Sequence, residues 1–180
     1  EGLALAAFGV MRDLTTKPLP KQILAYVMQD EARHVAFGRL ALRDYYKELT
    51  QAERDEREEF VVEGCYLMRD RINGREVYER LGLPVERCME LNEQSDYYTA
   101  FRNLLFTRIV PTVKDIGLWG PRVREAYADM GVLEHAAADV EDLMKADEDL
   151  AERLDREKRF AAEESARAAD VAAVIGSAQE

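Results

Sequence analysis

The stretch Asp30-Glu31-Ala32-Arg33-His34-Val35-Ala36-Phe37-Gly38 decides the fold and carries the candidate chemistry. It lies within a 3.6-residue apolar pattern over about residues 20–48, which predicts one long amphipathic helix. Glu31 and His34 are three residues apart in this pattern, so both side chains are predicted to project to one side of the helix, toward the core. A buried carboxylate is costly unless it is paired. A metal ion would supply that partner and would also bind a neutral imidazole.

A second helix precedes this one and brings a further carboxylate to it. Residues 1–14 carry a helical stripe that begins at Glu1, and the prolines at positions 18 and 20 break the pattern. Glu1 lies 16 residues before Lys17 and Glu31 lies 14 after it. At ~1.5 Å per residue, an antiparallel hairpin places the two glutamates at heights that differ by roughly 3 Å. Glu1, Glu31 and His34 are therefore predicted to converge as one half of a di-metal carboxylate site.

The rest of the chain also reads as helix, so we predict an all-α fold. Thr50 and Glu53 form a capping box that opens a helix over residues 51–72, predicted to pack beside the first two helices. One long helical region is expected over about residues 85–117, with Pro111 as a kink or a break, and Gly120-Pro121 opens a shorter helix. Residues 1–135 are predicted to form the bundle domain. Residues 136–180 are predicted to form an acidic, exposed helical tail with few contacts to the bundle.

The charge distribution supports this division. The chain of 180 residues has a net charge of −11, and residues 134–180 alone hold 14 acidic and 6 basic side chains. Acid–base pairs spaced i,i+4, such as Glu141–Lys145 and Glu152–Arg156, favour an exposed helix. The acidic balance argues against nucleic acid or an anionic membrane as a partner. No stretch reaches the ~18 apolar residues of a membrane span, and two unpaired cysteines indicate a cytoplasmic location.

The motif around Glu31 resembles the Asp-Glu-x-Arg-His motif of the ferritin-like di-iron oxygenases and oxidases. The resemblance covers roughly residues 1–48 and implies a ferritin-like helical bundle. It also implies that Glu31 and His34 bind iron and that Glu1 binds or bridges. Asp30 would accept a hydrogen bond from a ligating histidine of the other half-site, and Arg33 would neutralise Asp30 or another nearby acid. No catalytic residue beyond the metal ligands is implied.

This resemblance implies a non-haem di-iron oxidoreductase that uses O₂ to oxidise an apolar organic substrate, as a hydroxylase (monooxygenase), oxidase or desaturase. The cofactor would be two iron ions, with two manganese ions or a mixed pair as alternatives. An electron-donor protein and a second copy of the chain, in a homodimer, are partners that such an enzyme could use.

Two departures from the family pattern keep an alternative open. The first half of the site, another Glu and another Glu-x-x-His, is absent from these residues, and the chain begins with Glu rather than Met, as a fragment or processed product would. The alternative is a non-catalytic helical scaffold that retains the motif without a complete metal site. In addition, Val27 stands where the arylamine N-oxygenase branch has a further histidine ligand, which argues against that branch.

Overall fold

The computed structural model describes the backbone of residues 2–177 and the side chains of residues 2–168. The described part is helical and contains no strand, which confirms the all-α prediction. Its helices are α1 (Gly2–Leu14), α2 (Pro18–Tyr45), α3 (Gln51–Ile72), α4 (Arg75–Arg80), α5 (Val85–Gln94), α6 (Asp96–Leu105), α7 (Ile109–Asp115), α8 (Pro121–Asp129) and α9 (Val140–Ser177), with a 3₁₀ turn at Leu133–Ala137. None of the described helices combines the length and apolar content needed to cross a membrane.

Local sequence signals set the boundaries of the first three helices. Both prolines lie in the first turn of α2, so this helix begins at Pro18, where a backbone N–H has no helical partner anyway. The capping box of α3 forms as predicted: the Glu53 N–H donates to Thr50 Oγ1 over 3.3 Å, and the Thr50 N–H donates to Glu53 Oε2 over 2.9 Å.

The prediction of one long helical region over residues 85–117 is wrong. Three helices occupy this region, α5, α6 and α7. Ser95 separates the first two because its hydroxyl accepts a hydrogen bond from the Tyr98 N–H over 3.2 Å and caps α6. Pro111 lies in the first turn of α7, which begins at Ile109, so it neither kinks nor breaks that helix.

Two apolar clusters hold the helices together. The smaller cluster joins α1 and α2 through Leu5, Met28 and Ala32. The larger one lies between α3 and the segment from α6 to the 3₁₀ turn, with Phe106 and Tyr127 among its fully buried side chains. α3 packs mainly against α8, so the prediction that it lies beside α1 and α2 is wrong.

The buried residues of α3 explain its position. Cys65 is buried, and its Sγ lies 3.6 Å from Tyr127 Oη of α8. Glu58 is also buried, and one of its carboxylate oxygens accepts a hydrogen bond from the Gly120 N–H over 2.7 Å, immediately before α8. A buried carboxylate needs such a donor, so α3 must lie where Gly120 supplies it.

The start of the acidic tail is part of the bundle. α9 packs along α2, and Val140, Asp147 and Ala151 are buried, whereas residues 156–168 are exposed. The expectation of few contacts is therefore wrong for the first turns of α9. Among the described residues of this helix, Glu152 and Arg156 are the i,i+4 pair that forms an ion pair, at 3.4 Å. Glu141 instead pairs with Arg39 of α2 and not with Lys145. Packing on α2 draws Glu141 toward a buried cation.

Candidate metal centre

Glu31 and His34 lie together on one side of α2, as their spacing predicts. The distance between His34 Nδ1 and Glu31 Oε2 is 3.6 Å, which is too long for a hydrogen bond. Two ligand atoms that each lie ~2.0–2.2 Å from one metal ion are about 3 Å apart, so small rotations of these side chains would suffice for shared coordination. A carboxylate and an imidazole are a donor set suited to iron or manganese.

The predicted orientation toward the core is wrong for His34. The His34 side chain is 64% exposed and that of Glu31 is 27% exposed. The buried face of α2 is formed by Ala25, Met28, Ala32 and Arg39, about a quarter turn away from the predicted stripe. Alanines let α1 and α9 approach α2 closely along this face. A periodic pattern of large apolar side chains does not indicate a face formed by alanines.

Asp30 and Arg33 form the ion pair that the resemblance implied. Arg33 Nη1 donates to Asp30 Oδ1 over 2.9 Å, and both side chains are largely exposed. The pair lies next to the candidate ligands on α2, on the side away from the buried face. The predicted hydrogen bond from Asp30 to a histidine of another half-site stays a prediction.

Glu1 lies outside the described residues, so its convergence with Glu31 and His34 stays a prediction. The described chain contains no cluster of three or more His, Cys, Asp or Glu side chains placed to hold a metal ion. Within residues 2–177, the candidate centre therefore consists of two ligands.

The surface of α2 near His34 carries both apolar and charged side chains. Phe37, which lies three residues beyond His34, is 78% exposed, and the Asp30–Arg33 ion pair beside it is also largely exposed. The Phe37 side chain would exclude water from a metal ligand once another helix covered it.

One element of the site has no counterpart in the sequence analysis. The Arg39 side chain is only 3% exposed, with Nη1 donating to Asp115 over 3.1 Å and Nη2 paired with Glu141. Burial by itself would lower the pKa of Arg39, but hydrogen bonds and charges from Glu141 and Asp115 raise it overall. The burial of Arg39 could have been inferred from its position, because it lies seven residues after Ala32 and on the same helix face as Met28.

Arg39 also lines a cleft next to the candidate ligands. The cleft has a volume of about 260 Å³ and lies where α2 meets the start of α1 and α7. Its walls are mainly apolar and include Val35, Gly38, Leu42 and Ile109. Gly38 is one helical turn beyond His34, roughly 6 Å along the axis of α2.

Comparison with known proteins identifies the family. Residues 8–117, more than half of the chain, match the family model described as P-aminobenzoate N-oxygenase AurF. No match was found among curated proteins or solved structures. The match includes Glu31 and His34, whereas α8 and α9 lie beyond it.

This match corrects one interpretation and confirms another. The use of Val27 as evidence against the arylamine N-oxygenase branch is wrong, because one differing position does not outweigh a match over most of the bundle. The predicted ferritin-like helical fold and the resemblance to di-iron oxygenases are confirmed. The chain belongs to the AurF family of ferritin-like di-iron oxygenases.

Proposed function

We propose that this chain supplies half of the ligand set of a di-iron centre that oxidises an apolar organic substrate with O₂. Glu31 and His34 are the described ligands of the proposal, and Glu1 is the third. The observation that carries it is the 3.6 Å approach of His34 Nδ1 to Glu31 Oε2 within the segment that matches the family. The remaining ligands would come from residues other than those described.

Bound iron would supply the redox chemistry with O₂, and the protein residues would control the surroundings of the iron. Glu31 would bring negative charge, and His34 would bind as a neutral imidazole. The carboxylate of Asp30, oriented by Arg33, would hold a histidine of the completing half in position. The exposed apolar side chains of α2 would be covered by that half and would keep water from the centre.

We propose an apolar substrate, because the cleft that begins at Val35, the residue after His34, has mainly apolar walls. The family description names p-aminobenzoate and N-oxygenation. An aromatic amine is therefore the first substrate to test, with hydroxylation, desaturation and two-electron oxidation as the other reactions that the ligand set allows.

The chain offers a matched pair of variants for testing the metal centre, because it contains only two histidines. We expect purified protein with its complete ligand set to hold about two irons per chain. His34→Ala is expected to lose iron together with O₂-dependent activity, and His135→Ala to retain both. Equal iron content in the wild type and both variants would contradict the assignment of His34.

A non-catalytic helical scaffold is the second candidate, and the exposure of His34 favours it. In that case the wild-type protein would bind no iron in stoichiometric amount, and His34→Ala would behave like His135→Ala in every assay. Metal analysis of the wild type therefore separates the two functions before any substrate is known.

A further inference from the structure

We infer that the polar cleft between α3, α5, α6 and α8 binds a small zwitterion, a molecule with one carboxylate and one ammonium group, such as an amino acid. Arg102 receives the carboxylate, and Asp129 receives the ammonium group. The inference goes beyond the proposed function, because no residue of α1 or α2 lines this cleft. Three observations carry it: the charges that line the cleft, the neutral contacts that orient two of them, and the size of the cleft.

The cleft is lined by charged side chains of both signs. Arg69 and Asp70 form an ion pair at 2.8 Å, and the other charged groups that line the cleft are Arg102, Glu93 and Asp129. Among the described residues, none of these three has an oppositely charged side chain within 4 Å; the recorded side-chain contacts of Arg102 and Asp129 are to neutral groups. The cleft therefore contains one cation and two carboxylates whose charges are not matched by neighbouring side chains.

Neutral neighbours hold Arg102 and Asp129 in place without compensating their charges. Arg102 Nη1 donates to Asn73 Oδ1 over 3.3 Å, and its guanidinium carbon lies 5.9 Å from the centre of the Tyr98 ring. Since Asn73 also lines the cleft, this hydrogen bond places the Arg102 head group at the cleft wall. The Tyr66 hydroxyl donates to Asp129 Oδ2 over 3.0 Å. Side chains oriented in advance lose less freedom when a ligand binds, which favours its affinity.

This arrangement selects a ligand that carries both charges. A guanidinium donates well to a carboxylate, often through two parallel N–H groups, and a carboxylate attracts an ammonium group. A simple anion in the cleft would gain Arg102 but would also face Glu93 and Asp129, and a simple cation would face Arg102. A zwitterion meets an opposite charge at each end.

The volume of the cleft suits a molecule of this class. The cleft measures about 410 Å³, whereas a cavity of ~150 Å³ is enough to hold benzene. It therefore has room for an amino acid together with water at its rim, where Glu93 and Asp129 are exposed.

One wall of the cleft lies outside the part of the chain that matches the family. Asp129 is at the end of α8, beyond residues 8–117, whereas Arg102 lies within them. The proposed site therefore needs a segment that the family match does not include. Its ligand also differs from the p-aminobenzoate of the family description, because the aromatic amine of that molecule is uncharged at neutral pH.

The test measures dissociation constants by NMR titration of the full chain without added metal. The zwitterionic probes are the straight-chain amino acids from glycine to 6-aminohexanoate, which differ in the distance between their two charges. Hexanoate and hexylamine carry one charge each, and 4-aminobenzoate carries a carboxylate and an uncharged amine. We expect the best zwitterion to bind at least about tenfold more tightly than each of these three, as one hydrogen bond to a charged group allows.

Two variants assign the two ends of the ligand. Arg102→Gln keeps a donor for Asn73, and Asp129→Asn keeps an acceptor for Tyr66, so the neutral contacts are retained. Arg102→Gln is expected to weaken the best zwitterion and hexanoate about tenfold but not hexylamine. Asp129→Asn is expected to weaken the same zwitterion and hexylamine by a similar factor but not hexanoate. Arg80→Gln is the matched control, because Arg80 is an exposed arginine on α4 that does not line the cleft.

The wild type alone can overturn the inference, so the test stays decisive if a variant does not fold. Undetectable binding of every zwitterion would do so, as would an affinity for hexanoate, hexylamine or 4-aminobenzoate equal to that for the best zwitterion. Folded variants at Arg102 and Asp129 that bind every probe like Arg80→Gln would also contradict the assignment of the cleft.

Discussion

Asp147 provides the sharpest test of how the acidic helix α9 is attached to the bundle. Its side chain is 6% exposed and lies between two cations, Arg108 Nη2 at 2.8 Å and Arg12 Nη1 at 3.5 Å. Arg12 has a second partner, Asp13, at 2.9 Å. Among the described residues, Arg108 has no other ion pair within 4 Å. Asp147→Asn would therefore leave the half-buried Arg108 without its counter-charge.

The expected loss is large for a single substitution. Removing one partner of a buried ion pair costs about 3–5 kcal/mol. The lower end applies here because Arg12 keeps Asp13 and Arg108 is only half-buried. The matched control is Glu152→Gln on the same helix, whose pair with Arg156 is exposed and should contribute less than about 1 kcal/mol. The free energy of unfolding would be measured by urea titration followed by circular dichroism.

A double variant checks that the loss arises from the unpaired charge. Replacing both partners, as Asp147→Leu with Arg108→Met, should recover most of the stability, because an apolar pair avoids the cost of desolvating ions. Burial by itself would lower the pKa of Arg12, but Asp13 and Asp147 raise it overall, so this cation stays charged at neutral and mildly alkaline pH. The loss should therefore be the same at neutral and mildly alkaline pH. A loss no larger than that of Glu152→Gln would refute the role of Asp147.

Three further predictions follow from other parts of the chain. Hydrogen bonds from Thr50 lower the pKa of Glu53 below its usual 4.5. The stability that ionised Glu53 adds is therefore present above pH 4.5 and is lost as the pH falls through the lowered pKa. Glu53→Gln should flatten this part of the acid unfolding curve. Burial raises the pKa of Cys65, so a thiol reagent should modify the half-buried Cys88 in native protein and reach Cys65 only on unfolding; equal rates in native protein would contradict this. In protein with its complete ligand set, Asp30→Asn should weaken iron binding by about 10–100-fold in a competition titration, and an unchanged affinity would exclude its proposed role.

The helix boundaries could be predicted wherever one residue type carried a local signal. The prolines before α2 and the capping box of α3 act within a single turn, so their effect does not depend on the rest of the fold. Ser95 is the same kind of signal, and overlooking it merged α5 with α6. The boundary between α5 and α6 is therefore also set by a local signal that the sequence contains.

The packing of the helices could not be predicted in the same way. The buried face of α2 is set by small residues such as Ala25 and Ala32, which become buried only because other helices approach them. Arg39 is buried because Asp115 and Glu141, distant in sequence, arrive at its head group. The spacing of Glu31 and His34 predicted their proximity, but their exposure depends on which helices cover α2.

The contacts of α9 connect its attachment to the candidate metal centre. Met144 of α9 packs on the cluster formed by Leu5, Met28 and Ala32, and Glu141 binds Arg39, so α9 restrains α2 on both sides of the Glu31–His34 turn. α9 lies beyond the residues that match the family, yet it fixes the helix that carries the matched motif. Because Glu141 is paired with Arg39, a shift of α9 would move Arg39 relative to Glu31 and His34 on the same helix. The first turns of this acidic helix therefore restrain the geometry of the site through α2.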